Sequence, residues 1–180
     1  MPDYRRKLPH FHPGHTCLFI TWRLAGSVPG KPGPLLLADS RIADLVTHGI
    51  LAGECERHFY ELYAWAVMPN HVHIFIFPLV RVAVLMRWLK GSTARYANQI
   101  LGRTGQRFWQ SESFDHYLRS SSEVAKFADY IEGNPVSAGL VSRAEDWKWC
   151  SAGWGSRQAE PPAPPQTPKA AETLDTSEVP

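Results

Sequence analysis

The sequence predicts an α+β fold, an antiparallel sheet backed by helices. Three observations point there. The stretch AWAVMPNHVHIFIF (64–77) is aromatic and β-branched on either side of Met68-Pro69-Asn70, which supplies turn chemistry, so it reads as a tight antiparallel pair. Separate stretches near 40–50 and 82–101 place apolar residues at helical rather than alternating spacing. The order of elements is βαββα, followed by extended structure and a further helix.

Residues 1–14 are basic, rich in Pro and His, and read as an irregular arm. HTCLFITWRL (15–24) is a strand, and AGSVPGKPGP (25–34) is a loop by its Gly and Pro content. A helix starts at Asp39 or Ser40, either of which can cap it, and runs through Ile42, Leu45, Val46 and Ile50. The paired strands follow at 58–68 and 71–77. The helix over 82–101 sets Leu85, Trp88, Leu89, Ser92, Tyr96 and Ile100 on its apolar stripe, with Arg87 and Lys90 opposite. RFWQSESFDHYLR (107–119) reads as one or two short strands or an extended connection. SSSEVAKFADYIEGN (120–134) is a helix with Ser caps and Glu123 placed for a capping box. Asn134-Pro135 is expected to end it, because a residue before proline is pushed out of the α region. The folded domain therefore spans 15–157, and the Pro-rich, acidic stretch 158–180 has too little to bury and is expected to be disordered.

A chain of 180 residues is enough for one domain with a real core, and 44% hydrophobic residues with seven tryptophans suit a well-packed interior. The longest apolar runs are strand-sized, so no transmembrane helix is expected. The N-terminus lacks the apolar core of a secretory signal. Cys17, Cys55 and Cys150 lie far apart without a CxxC, which fits reduced thiols in a cytoplasmic protein rather than a disulfide framework or zinc knuckle. The net charge of +2 conceals a polarity: residues 158–180 carry −3 and residues 1–157 carry +5. Within the latter, Arg81, Arg87, Lys90, Arg95, Arg103, Arg107 and Arg119 stand against only Glu112 and Asp115 over 81–119. Such an excess is either a phosphate-binding surface or a solvated helix face.

On the second of the paired strands, His71 and His73 point the same way, with Val72, Ile74 and Ile76 on the other face. Two imidazoles on one face of an interior strand need partners, since an unpaired buried polar group is costly. A divalent metal is one such partner, and ordinary hydrogen bonds are another. The last helix adds Tyr130 and, four residues on, Asn134, which share a helical face and bring an amide beside a phenol. Taken singly, Tyr130 reads first as a half-buried packing aromatic and Asn134 as a C-terminal helix cap.

In combination these residues resemble the single-tyrosine HUH nucleases (histidine–hydrophobic–histidine), and among them the bacterial REP-associated tyrosine transposases. The matching stretches are RRKLPHF…PGHTCLFITWRLAGS, AWAVMPNHVHIFIF, RFWQSESFDHYLR and DYIEGNPVSAGLV, in that order across residues 5–150. The resemblance implies a ferredoxin-like βαββαβ core, His71 and His73 as metal ligands, and Tyr130 as a nucleophile that leaves a 5′-phosphotyrosine link and a free 3′-hydroxyl. Related enzymes use a Gln one turn after the tyrosine. Here Asn134 is a methylene shorter and precedes Pro135, and it is the candidate third ligand. The chemistry is coherent: a phenol of pKa about 10 is a weak nucleophile at neutral pH, and a cation such as Mg²⁺ or Mn²⁺ polarises the phosphate it attacks.

Among the other tyrosines, Tyr96 is expected in the core, Tyr60 and Tyr63 are expected to pack, and Tyr117 sits beside Asp115 and His116 without a spacing that demands a site. The implied substrate is single-stranded or hairpin DNA. Its phosphates would meet Arg5, Arg6, Lys7, His15, Arg87, Lys90, Arg95, Arg103 and Arg107, while Trp109, Phe108 and Trp88 either stack bases or pack in the core. The resemblance also suggests that the arm and first strand read a tetranucleotide beside the hairpin. His10 and His12, with His15, read as solvated coil residues rather than a second metal site. Two other readings stand beside DNA cleavage and strand transfer: a non-catalytic single-stranded nucleic-acid binder on the same scaffold, and a metal phosphodiesterase that uses water. The chain would act as a monomer or a homodimer.

Overall fold

The computed structural model describes residues 16–28, 30–31, 33–117 and 122–154, apart from the side chains of 122–124. Strands β1 (Leu18–Leu24), β2 (Tyr60–Met68), β3 (His71–Pro78) and β4 (Trp109–Tyr117) form one antiparallel sheet in the order β2-β3-β1-β4. Helices α1 (Ser40–Cys55), α2 (Val82–Ile100) and α3 (Ser122–Ser137) complete a βαββαβα chain order, the ferredoxin-like arrangement with one trailing helix. The segment read as one or two strands or a connection is the single edge strand β4, whose pairing with β1 shifts register between Trp22 and Leu24.

Strand alternation divides the interior in two. Leu18, Ile20, Trp22 and Leu24 of β1 join Val72, Ile74 and Ile76 of β3 in the larger core. Ile42, Val46 and Ile50 of α1, with Leu85, Met86 and Leu89 of α2, cover that face. On the other face Cys17, Phe19, Ala64, Ala66, Met68 and Phe75 pack with Ile131 of α3. Two helices thus lie on one side of the sheet and α3 lies on the other. Asp39 opens α1 as expected: its carboxylate accepts from the Arg41 backbone N–H at 3.0 Å.

Two sequence expectations fail for identifiable reasons. Tyr96 and Ile100 are 50% and 42% exposed rather than on the buried stripe of α2. The stripe passes instead through Leu89, Thr93 and Ala97. Thr93 is tolerated there because its hydroxyl donates to Leu89 O (2.6 Å) and accepts from Trp109 Nε1 (3.0 Å). The second failure is the end of α3. The helix passes through Pro135 and stops at Gly139, where φ is +69°. There Leu140 N–H bonds Pro135 O and Gly139 N–H bonds Val136 O, both at 2.9 Å, which is a Schellman closure. The Asn134 amide nitrogen donates to Tyr130 O at 2.7 Å, a side-chain bond that ties the turn before the proline to the helix.

The outer rim of β2 is not bare. The chain returns along it after α3: Ala66 bridges Cys150, Val67 N–H bonds Trp149 O at 2.8 Å, and Trp65 N–H bonds Ser151 Oγ at 3.1 Å. Indoles pin this strap, Trp147 Nε1 donating to Val67 O (3.0 Å) and Trp149 Nε1 to Asp44 of α1 (2.8 Å).

Helix α1 crosses β2 closely because Gly53 leaves room for the buried Tyr60, whose hydroxyl donates to Ile50 O at 2.6 Å. A Cβ on Gly53 would collide with the hydroxyl and ring of Tyr60. Gly53→Ala is therefore expected to lower stability by about 1–3 kcal/mol through overpacking, despite the better helix propensity of Ala. Urea unfolding of the variant checks this.

Candidate active site

The face covered by α3 is the one that carries the histidines. Register places His73 opposite Thr21 and His71 opposite Arg23 on β1, with Ala66 and Met68 of β2 on the other flank. His73 is 5% exposed, and its ring stacks on Phe19 at 5.4 Å and 18°. Its Nδ1 lies 2.7 Å from Thr21 Oγ1. The His71 Nδ1 lies 2.6 Å from Asn70 Oδ1, an oxygen that only accepts, so this nitrogen carries the proton. That assignment leaves the His71 Nε2 as a bare lone pair.

The two Nε2 atoms face each other at 3.0 Å. When the Thr21 hydroxyl donates to His73, the proton on His73 Nε2 bridges the pair as an ordinary hydrogen bond. When Thr21 accepts instead, both lone pairs converge on one point. Two metal–nitrogen bonds of about 2.1 Å meeting near a right angle hold their nitrogens about 3.0 Å apart, so the observed spacing fits chelation without rearrangement. Among the described residues no group of three or more His, Cys, Asp or Glu gathers to hold a metal. Further ligands would be an amide, a hydroxyl, water or a substrate oxygen.

Both imidazoles are held neutral. Burial pushes His71 down to about 4, helped by the charge of Arg23. Burial pushes His73 down to about 3, helped by His71 and then Arg23. From the unfolded value of 6.5 down to these folded values, the unfolded chain binds more protons than the folded one. Stability should therefore fall as pH falls through that window. With EDTA present, the thermal midpoint is expected to drop from pH 7 to pH 5 more steeply for the parent than for His73→Gln, as calorimetry would show.

Tyr130 comes to the same place from α3. Its ring lies 6.2 Å from that of His73 and 6.0 Å from that of Phe19, edge-on to both, and the residue is 57% exposed. Phe127, one turn earlier, anchors the helix against Phe19, Phe75 and His116. Among the described tyrosines Tyr130 alone touches the histidine pair. Tyr60 faces α1 with its hydroxyl spent on Ile50 O. Tyr63 is raised by burial and donates to Glu61 at 3.0 Å. Burial and Asp115 push Tyr117 up to about 12, and Tyr96 rides on α2 across the sheet. Asn134 does share the Tyr130 face, but its amide nitrogen is turned onto the Tyr130 carbonyl, which leaves only Oδ1 for a ligand.

The basic candidates on α2 are not brought to this site. Helix α2, with Arg87, Lys90 and Arg95, lies on the opposite side of the sheet from the histidines. Lys90 tethers β4 through Ser111 O at 3.0 Å, Arg95 lies over Tyr96, and Arg103 bonds Gln106 at 2.9 Å. Arg107 is exposed just before β4. Trp109 is corrected outright as a base-stacking residue: it is 5% exposed in the core, edge-on to Trp22, and Phe108 beside it is 2% exposed. Trp88 packs on Phe59 at 5.5 Å. Arg5, Arg6, Lys7 and His15 lie outside the described residues. Sequence reading missed Thr21 and Arg23. Their only signal was a polar pair spaced two apart in an apolar strand, the same spacing as the histidines.

The sequence model of the family described as "Transposase IS200 like" matches residues 40–134. A Haemophilus influenzae protein assigned to the REP-associated tyrosine transposases is 27% identical over 109 residues, 54% of this chain and 61% of that protein. The match thus spans less than two thirds of that relative's length. A solved structure described as a REP-associated tyrosine transposase bound to a REP hairpin has the same fold, with a TM-score of 0.61 at 24% identity, over 84% of this chain and 82% of that one. The family match starts at the first residue of α1, ends at Asn134, and takes in both histidines and the tyrosine beside them: the chain belongs to the IS200-like transposase family.

Proposed function

We propose that this transposase cuts single-stranded or hairpin DNA with Tyr130 as nucleophile and rejoins the strand through a 5′-phosphotyrosine link. One observation carries the reading: the Tyr130 ring stands 6.2 Å from His73, on the face where the two Nε2 atoms converge at 3.0 Å. The description of the hairpin-bound structure, of like fold, supports a hairpin substrate.

His71 and His73 would hold a divalent cation, Mg²⁺ or Mn²⁺, with Asn134 Oδ1, water or a substrate oxygen beside them. Such an ion supplies Lewis acidity toward the phosphate and neutralises charge developing on its oxygens. The chain's own residues do the rest. Phe19 and Phe127 fix the sheet face and the helix that carry the reacting groups. The Tyr130 oxygen forms a bond to phosphorus and gives up its proton; the bond to the 3′ oxygen breaks, and that oxygen takes up a proton. The phosphodiester is conserved in the link, so attack by a second 3′-hydroxyl reverses the step without a nucleotide cofactor. Tyr130 sits beside the His73 of its own chain, which favours catalysis within one protomer.

The test is labelled single-stranded DNA carrying the imperfect palindromes that flank the gene, incubated with Mn²⁺ or Mg²⁺ and run on denaturing gels. A covalent adduct that EDTA abolishes is expected. Cleavage with no adduct would favour a water-using phosphodiesterase, and binding with neither would favour a non-catalytic binder.

A further inference from the structure

The site face is only half closed. Beneath α3, Phe127 covers Phe19, Phe75 and, at 5.5 Å and 27°, the ring of His116 on β4. Two residues before His116 on the same strand, and so on the same face, Phe114 is 56% exposed and makes no ring contact among the described residues. Single exposed apolar side chains are common and need no purpose. This one is distinguished by its register. Phe114 pairs with Thr21, which pairs with His73, so Phe114, Thr21 and His73 form one row across three strands. Strands spaced about 4.8 Å apart put Phe114 some 10 Å from His73 along that row.

The neighbouring row holds Arg23 opposite His71. Arg23 is partly buried and has no carboxylate partner among the described residues. A half-buried guanidinium without a counterion favours an anion, and its planar fork suits phosphate. A cationic seat beside His71 and an exposed aromatic ring two strands from His73 thus share the face of the imidazole pair, the combination a single-stranded nucleotide requires.

We propose that Arg23 and Phe114 form a nucleotide seat beside the histidine pair, Arg23 taking a backbone phosphate and Phe114 stacking an unpaired base of the strand presented for cleavage. The seat deepens the DNA-cleavage reading and rests on it. It binds any of the four bases, because stacking uses the π-face that all share.

The probes are the palindromic flanking strand and an oligothymidylate, each with one 2-aminopurine moved position by position, bound in EDTA by the Tyr130→Phe chain so that nothing is cut. One position is expected to be quenched by the parent and by Phe114→Trp but not by Phe114→Ala. Affinity should fall about 5- to 100-fold in Phe114→Ala and recover in Phe114→Trp. Arg23→Gln should lower the salt slope by about 0.7, the loss of one single-strand phosphate contact, while Phe114→Ala leaves that slope unchanged. Quenching and affinity equal to the parent in Phe114→Ala would overturn the base platform, and an unchanged salt slope in Arg23→Gln would overturn the phosphate seat. Failure of every strand to bind would overturn both. The adduct assay with intact Tyr130 is read separately. Phe114-dependent quenching without any adduct leaves the seat standing and removes the cleavage reading. An adduct without Phe114-dependent quenching does the reverse.

Discussion

Tyr130→Phe is expected to abolish the covalent protein–DNA adduct, with cleavage falling at least about a thousandfold, while hairpin affinity stays within about twofold of the parent. The substitution removes one oxygen and nothing else. The ring keeps its edge contacts with His73 and Phe19, and the hydroxyl has no hydrogen-bond partner among the described residues. Stability should therefore move by no more than about 0.5 kcal/mol, as for other surface changes. Denaturing gels read the adduct, filter binding reads the affinity, and a thermal melt excludes misfolding. Residual adduct in this variant would transfer the nucleophile's role to another tyrosine. Among the described tyrosines no other lies within ring contact of the histidines.

His73→Ala and His71→Ala are expected to lose Mn²⁺ affinity by more than about a hundredfold each, measured by titration calorimetry in the absence of DNA. Outer partners of metal-bound histidines commonly account for 10- to 100-fold, and removing a ligand exceeds that. The two variants should differ in stability. His73 is buried between Phe19 and Thr21, and its loss leaves a cavity and an unpartnered Thr21 hydroxyl at a cost of about 1–3 kcal/mol. His71 is more open and costs less. Thr21→Val separates positioning from ligation. It keeps the strand and the shape but removes the acceptor that would hold the proton on His73 Nδ1, so Mn²⁺ affinity should fall about 10- to 100-fold with both histidines present. Equal Mn²⁺ binding by the parent and the histidine variants would leave the 3.0 Å contact as a structural hydrogen bond only.

Much of this site was legible locally. The β-branched flanks around Met68-Pro69-Asn70 set both strands, and alternation alone put His71 and His73 on one face. Spacing of four put Tyr130 and Asn134 on one side of a helix. What could not be read were properties of assembly. Whether a basic helix shares a side with the histidines depends on the direction of chain crossovers, and α2 falls on the far side. Trp109 and Phe108 looked like a stacking pair because aromatic-next-to-basic reads the same inside and outside. Burial decided it. Arg23 and Phe114 acquire meaning only once β1 lies between β3 and β4. Pro135 misled because the stop signal lay four residues on, at a glycine with positive φ.

The strap along β2 has a bearing on how such a gene decays. Every residue proposed for catalysis lies before Pro135, so a frameshift or stop codon near Lys148 would leave the chemistry written in full. It would also strip Trp149, Cys150 and Ser151 from β2 and offer an unpaired hydrophobic edge to any neighbouring chain. A chain truncated before Trp149 is expected to aggregate, which light scattering of the expressed variant would show. The last turns described thus keep the outer edge of β2 closed to other chains.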